Sequence, residues 1–285
     1  MRSSVQTVQV RPRALWWDLA RFVLAFLVLM FLYELARDFV ALGEPATREY
    51  DHAGQVISAE RSLGLFVEPD LQGAIHGIPG GRFATTWFYT IAYVAGYSVF
   101  FLWVFFRHRR HMAFLHTWYW VTNGLAVLVY WLYPLAPPRF IPGLGLEDPT
   151  KTALELGGSL SWFEPFRNLY AAMPSMHVGQ TVLYALSITW LIRTRWRWLV
   201  WLWPAMMLLT VMVTANHYWL DGVGGAGVAL LALTITTVVL RRPAPWRALR
   251  ARETDPPGVV VGVAPGSRRG WPDSSRAHDA RGHTP

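Results

Sequence analysis

Arg139 in Pro137-Pro138-Arg139, His177 in Ala172-Met173-Pro174-Ser175-Met176-His177, and His217 and Asp221 in Asn216-His217-Tyr218-Trp219-Leu220-Asp221 each stand where a long apolar run meets a polar loop. One imidazole can attack phosphorus, a second can protonate a departing oxygen, a carboxylate can orient the first, and a guanidinium can bind phosphoryl oxygens. His217 and Asp221 are four residues apart at the start of an apolar stretch, so on a helix they share a face. An aspartate one turn into a membrane helix is costly unless paired, and the His217 N–H is its expected partner. That pairing would fix the tautomer and leave the other ring nitrogen free to attack. Alone, such a pair is more often a structural hydrogen bond than a catalytic one. Asn216 is placed to cap the helix.

Pro174 suits a first helical turn, which puts Ser175, Met176 and His177 at a helix start, where free N–H groups and the positive helix end make an anion site. An ordinary cap with a histidine facing headgroups fits equally. Tyr133-Pro134-Leu135-Ala136-Pro137-Pro138 stiffens the chain ahead of Arg139. Its fork matches phosphate bidentately, although a lone arginine at a helix exit is commonly a headgroup contact. The conjunction of the three signals favours catalysis, provided that the elements carrying them bring one end of each together.

The chain must therefore supply helices. A spanning helix needs about 20 mostly apolar residues, and six stretches qualify: Trp17 to Val40, Ala84 to Phe106, Met112 to Tyr133, Pro174 to Ile192, Arg197 to Thr214 and Trp219 to Leu240. The first follows Arg2, Arg11 and Arg13 but lacks a small-residue cleavage site, so it reads as a retained helix. Arginine-rich loops stay cytoplasmic. The N-terminus, the Arg107 to His111 segment, the Arg193 to Arg197 turn and the tail from Arg241 are basic. The alternate loop, with Glu44, Glu49, Asp51, Glu60, Glu68 and Asp70, is acidic. Both termini are expected inside and all the motifs outside. Within the outer loop, Val56 to Leu71 mixes apolar and charged residues in a way that fits one amphipathic helix lying in the interface.

Composition agrees. Of 285 residues, 53% are apolar or aromatic and 15% charged, too oily for an ordinary soluble domain. The net charge of +8 comes almost wholly from arginine between apolar runs and in the tail, which points to anionic lipid rather than nucleic acid. With no cysteine, thiolate chemistry and disulfides are excluded. The expected fold class is an all-α polytopic membrane protein: residues 1–16 a cytoplasmic segment, 17–242 a six-helix bundle with its interfacial helix, and 243–285 a disordered cytoplasmic tail rich in Pro, Gly, Ser and Arg.

Pro174-Ser175-Met176-His177 followed by His217-Tyr218-Trp219-Leu220-Asp221 resembles the second and third signature motifs of the type-2 phosphatidic acid phosphatase superfamily. Ala171 to Val178 and Pro137-Pro138-Arg139 look most like its inositol phosphorylceramide synthase branch, and the resemblance covers about Leu63 to Leu240. It implies a lipid phosphate substrate, a phosphohistidine on His217, Asp221 as orienting carboxylate and His177 as the acid. Arg139 and the amides around Ser175 would hold the phosphoryl oxygens. It implies no metal or other cofactor, and it keeps a polyol acceptor such as inositol open. Two basic residues of the wider superfamily are missing, with Leu132 in place of a lysine and Thr210-Val211 in place of a Ser-Arg pair. Lys151, Arg167 and Asn168 are candidates to compensate, although they equally read as solvated loop residues. Glu34, Arg37 and Asp38 read either as outer vestibule or as mutual pairing at a helix end.

Two other classes remain open on the residues alone. His177, His217 and Asp221 would suffice as metal ligands for a membrane hydrolase, though the HExxH base is absent. A transporter or lipid-binding scaffold would use the polar cluster as a substrate site, yet internal repeats are not evident.

Overall fold

The computed structural model describes residues 12–39, 47–147 and 170–240. Lys151, Arg167, Asn168 and the 243–285 tail lie outside the described residues. The regular structure described is helical: α1 (Pro12–Phe39), α2 (Thr47–Ser62), α3 (Glu68–His76), α4 (Gly81–Arg107), α5 (Met112–Leu132), α6 (Met176–Leu191), α7 (Leu202–Val213) and α8 (Trp219–Val239). A 3-10 segment over Arg195–Trp201 leads into α7. An isolated parallel bridge joins Leu135 to Ala171.

Apolar composition drives these elements and also exposes them. Among the described residues, Leu15–Arg37, Arg195–Val213 and Trp219–Val239 are long and apolar enough to cross a membrane, with mean hydropathies of 2.1, 1.4 and 1.9. Leu24, Leu27, Phe31, Leu35 and Phe39 of α1 and Val223, Leu230, Leu231 and Val238 of α8 face outward, an apolar surface suited to lipid. The protein is an all-α, multi-pass membrane protein. α1 begins at Pro12, ahead of the expected Trp17.

Helices α5, α6 and α8 form the centre. Trp118, Tyr119, Leu183, Tyr184 and Ala232 pack there with Phe100, Phe101 and Val104 of α4. Buried polar groups tie the helices across lipid-depth segments, where water is not available to satisfy them. Trp118 Nε1 donates to Ala229 O at 2.7 Å, and Gln180 Nε2 to Asn123 Oδ1 at 3.1 Å. Small residues set the closest approach: a Cβ on Gly225 would lie 2.0 Å from Ser175 O, and one on Gly179 would lie 2.7 Å from Gly225 O. The other α8 glycines are less constrained: a Cβ on Gly222 would meet the movable end of the Leu208 side chain at 2.3 Å, and Gly227 has open space.

One expected element is replaced. Rather than a single helix over Val56 to Leu71, α2 ends at Ser62 and α3 starts at Glu68. Gly64 adopts a left-handed φ of 67° that breaks the first helix, and Pro69 starts the second. α2 buries Ala53, Val56 and Ile57 against Leu135, Ala136, Ala172 and Tyr218, and Glu60 beside them. It lies over the loops that carry the motifs.

Candidate active site

α5 ends, α6 begins, α7 ends and α8 begins at the same end of the bundle, so the three motif loops meet there. Backbone bonds fasten them: Leu135 N donates to Tyr170 O at 2.8 Å, Arg139 N to Ala215 O at 3.2 Å, and Ser175 N to Asp221 O at 2.9 Å. The α2 helix secures the first loop from above. Arg48 Nη2 donates to Leu132 O at 2.7 Å, and His52 contacts Pro134 O through Nδ1 at 2.7 Å while stacking on Tyr133 at 4.0 Å.

His217 precedes α8 and is only 6% exposed. Its Nδ1 lies 2.7 Å from Ala172 O and 3.5 Å from Asp221 Oδ2. Both neighbours are acceptors, so Nδ1 carries the proton and Nε2 keeps its lone pair. The short bond is to the backbone carbonyl, and the carboxylate is the second, longer contact. Asp221, fully buried, spends Oδ2 on Tyr218 N at 2.9 Å. It therefore shapes the turn as well as facing the imidazole.

The His177 ring centroid is 5.7 Å from that of His217, and Tyr89 of α4 stacks on the His177 ring at 4.3 Å and 24°. Ser175 is the N-cap of α6, with Pro174 just before the helix rather than in its first turn. The Ser175 hydroxyl is buried and makes no hydrogen bond within the protein. A buried hydroxyl left in that state at a helix start is suited to a ligand oxygen.

Arg139 is fixed by the turn after α7. Ala215 there takes a φ of 50°, uncommon for a residue with a Cβ, and its carbonyl accepts from Arg139 Nη1 at 3.4 Å. Asn216 Oδ1 accepts from the same Nη1 in a shorter bond. Asn216 thus holds Arg139 instead of capping α8, and Tyr218 is the N-cap. The guanidinium also lies over the Phe140 ring at 4.7 Å, which restricts its swing.

His177, His217, Asp221, Ser175 and Arg139 are accordingly brought together. Arg37 of α1 pairs with Glu34 at 2.6 Å and also comes within electrostatic reach of His177. The i, i+3 spacing of Glu34 and Arg37 signalled the pair, whereas nothing local to α1 signalled its approach to His177. Glu60 and Glu68 are further residues that the spacing did not single out, and both reach the start of α8. Among the described residues, no group of three or more His, Asp or Glu side chains is arranged to hold a metal ion.

Fold and site together define a membrane protein with its polar machinery gathered at one end of a helical bundle. The PAP2 superfamily model matches residues 54–235, and the chain belongs to that superfamily. Its local likeness falls in the inositol phosphorylceramide synthase branch: an inositol phosphorylceramide synthase of Candida albicans is 31% identical over 130 residues, covering 40% of this chain and 26% of that protein. The chain thus matches about a quarter of that relative's length. No solved structure matches it.

Proposed function

We propose that this protein is a lipid-phosphate phosphatase or headgroup phosphotransferase that works through a phosphohistidine on His217. The observation that carries the reading is the 2.7 Å contact between His217 Nδ1 and Ala172 O, which leaves Nε2 as a nucleophile beside a second imidazole. Nε2 attacks phosphorus, the bond from phosphorus to the lipid-side oxygen breaks, and His177 gives that oxygen a proton. Water or an alcohol then attacks the phosphohistidine, His177 takes the proton, and the P–N bond breaks. Arg139, the Ser175 hydroxyl and the positive end of α6 stabilise the charge on the phosphoryl oxygens.

Hydrolysis and transfer share every step up to the acceptor. The likeness to an inositol phosphorylceramide synthase favours transfer to a polyol such as inositol. The same family setting favours six spans, with both termini cytoplasmic and the site at the outer face of the cell membrane, because Arg107, Arg109, Arg110, Arg193, Arg195 and Arg197 all lie at the opposite end of the bundle. An apolar tail can then stay in the bilayer while the headgroup enters.

The test is incubation of purified protein with a panel of lipid phosphates, with and without inositol. Wild type should release phosphate or exchange headgroups, and activity should survive a chelator and be abolished by vanadate. Loss of activity in the chelator, restored by a metal, would favour the metal-dependent reading. The absence of turnover on any lipid phosphate would leave a transporter or binding role.

A further inference from the structure

Glu60 of α2 and Glu68 of α3 are fully buried. Glu68 Oε1 accepts the N–H of Trp219 at 2.9 Å, and Glu60 Oε1 accepts that of Leu220 at 2.8 Å. With Asp221 Oδ2 on Tyr218 N, three carboxyls from three helices satisfy three consecutive N–H groups at the start of α8. A helix leaves such groups without internal partners, and its N-terminus favours negative charge. Yet the partial positive charge there cannot neutralise three buried anions.

The remaining oxygens show how the excess is relieved. Glu60 Oε2 and Glu68 Oε2 each lack a donor within the protein, and the two carboxyls are neighbours because they hold consecutive N–H groups. Neighbouring buried carboxyls that both lack donors are relieved by sharing one proton. The titratable groups facing Glu60 are Glu68 from α3, Asp221 from α8, and the Tyr218 hydroxyl at its N-cap. None of them is cationic. Burial, reinforced by the neighbouring Glu68, pushes the Glu60 carboxyl up to about 8 despite its bond from Leu220.

We infer that Glu60 and Glu68 are positioning residues: a proton-sharing carboxyl pair that clamps α2 and α3 onto the start of α8 and so holds His217 and Asp221 in place. Ionisation of the pair in alkali puts a second charge on it and loosens the clamp. The kinetic part of this inference rests on the proposed phosphoryl transfer; the structural part does not.

The experiment uses the full chain in detergent micelles, with phosphatidic acid as the probe substrate, and compares wild type, E60Q, E60A and E68Q over pH. Gln supplies the same acceptor to Leu220 and a permanent donor to Glu68, so E60Q should keep the wild-type kcat near neutrality. E60Q should also retain activity above about pH 8, where wild type declines. E60A should lose about tenfold in kcat with little change in KM, the cost of a slightly misplaced nucleophile. Hydrogen exchange at the Trp219 and Leu220 amides, read at one pH, should be faster in E60A and unchanged in E60Q. E60Q as impaired as E60A, or superimposable wild-type and E60Q pH profiles, would overturn the proposal. If E60A fails to fold, wild type against E60Q and E68Q decides the matter. If wild type turns over no phosphatidic acid, the assigned substrate is at fault, and the exchange rates alone judge the pair.

Discussion

The Ala172 carbonyl does for His217 what the spacing of His217 and Asp221 assigned to the carboxylate. At 2.7 Å it outranks Asp221 at 3.5 Å, so removing the charge should leave the tautomer intact. D221N is therefore expected to lose about tenfold in kcat, against roughly a hundredfold or more for H217A, about 2.7 kcal/mol of barrier. Equal losses in steady-state assays of the two variants would make the carboxylate the main orienter. The residue types that carry chemistry were legible because each sits at an apolar boundary. A backbone carbonyl has no residue signature, so its part was not. The missing superfamily cations have a candidate substitute in Arg37, whose field reaches His177. R37Q should lower kcat/KM about tenfold while leaving the fold intact, and wild-type kinetics would confine Arg37 to its pair with Glu34.

At the level of elements, Gly225 lets α8 cross the start of α6 so closely that Ser175 O occupies the place of a side chain. G225A should cost roughly 1–3 kcal/mol by overpacking and lower activity by shifting Ser175. Thermal unfolding in detergent together with kcat reads both effects, and an unchanged kcat would show that the crossing does not position the site. Glu60 brings a stability dependence of definite sign. Its folded pKa of about 8 lies above the ordinary carboxylate range, so its contribution is complete in acid and is lost as pH rises through about 8. Wild type should lose stability relative to E60Q as pH rises from about 4.5 to about 8, as read by denaturation midpoints at about pH 5 and about pH 9. Equal midpoints would mean that the carboxyl ionises freely. Apolar runs made the helix cores legible to within a few residues. The break between α2 and α3 was marked by Gly64 and Pro69, but the amphipathic composition of Val56 to Leu71 masked it. Glu60 and Glu68 read as loop charge because burial at a distant helix end leaves no local pattern.

For the whole molecule, α2 and α3 lie over the motif loops, and the proposed topology puts them on the outer side of the membrane. A chain without cysteine allows this to be tested with single thiols at exposed positions. S62C, at the end of α2, should react with a membrane-impermeant reagent in intact cells, whereas R195C should react only after permeabilisation. The reverse pattern would invert the topology. Convergence of the motifs was legible because their helix ends alternate along the chain. The packing that delivers it was not, since contacts such as Arg139 with Asn216 join residues far apart in sequence. The central claim is the covalent intermediate, and the most direct measurement is mass spectrometry of purified protein quenched in alkali during turnover of a lipid phosphate. A phosphoryl group on the peptide holding His217, present in wild type and absent in H217A, is the predicted result; active protein with no adduct, or with the group on another residue, would contradict it.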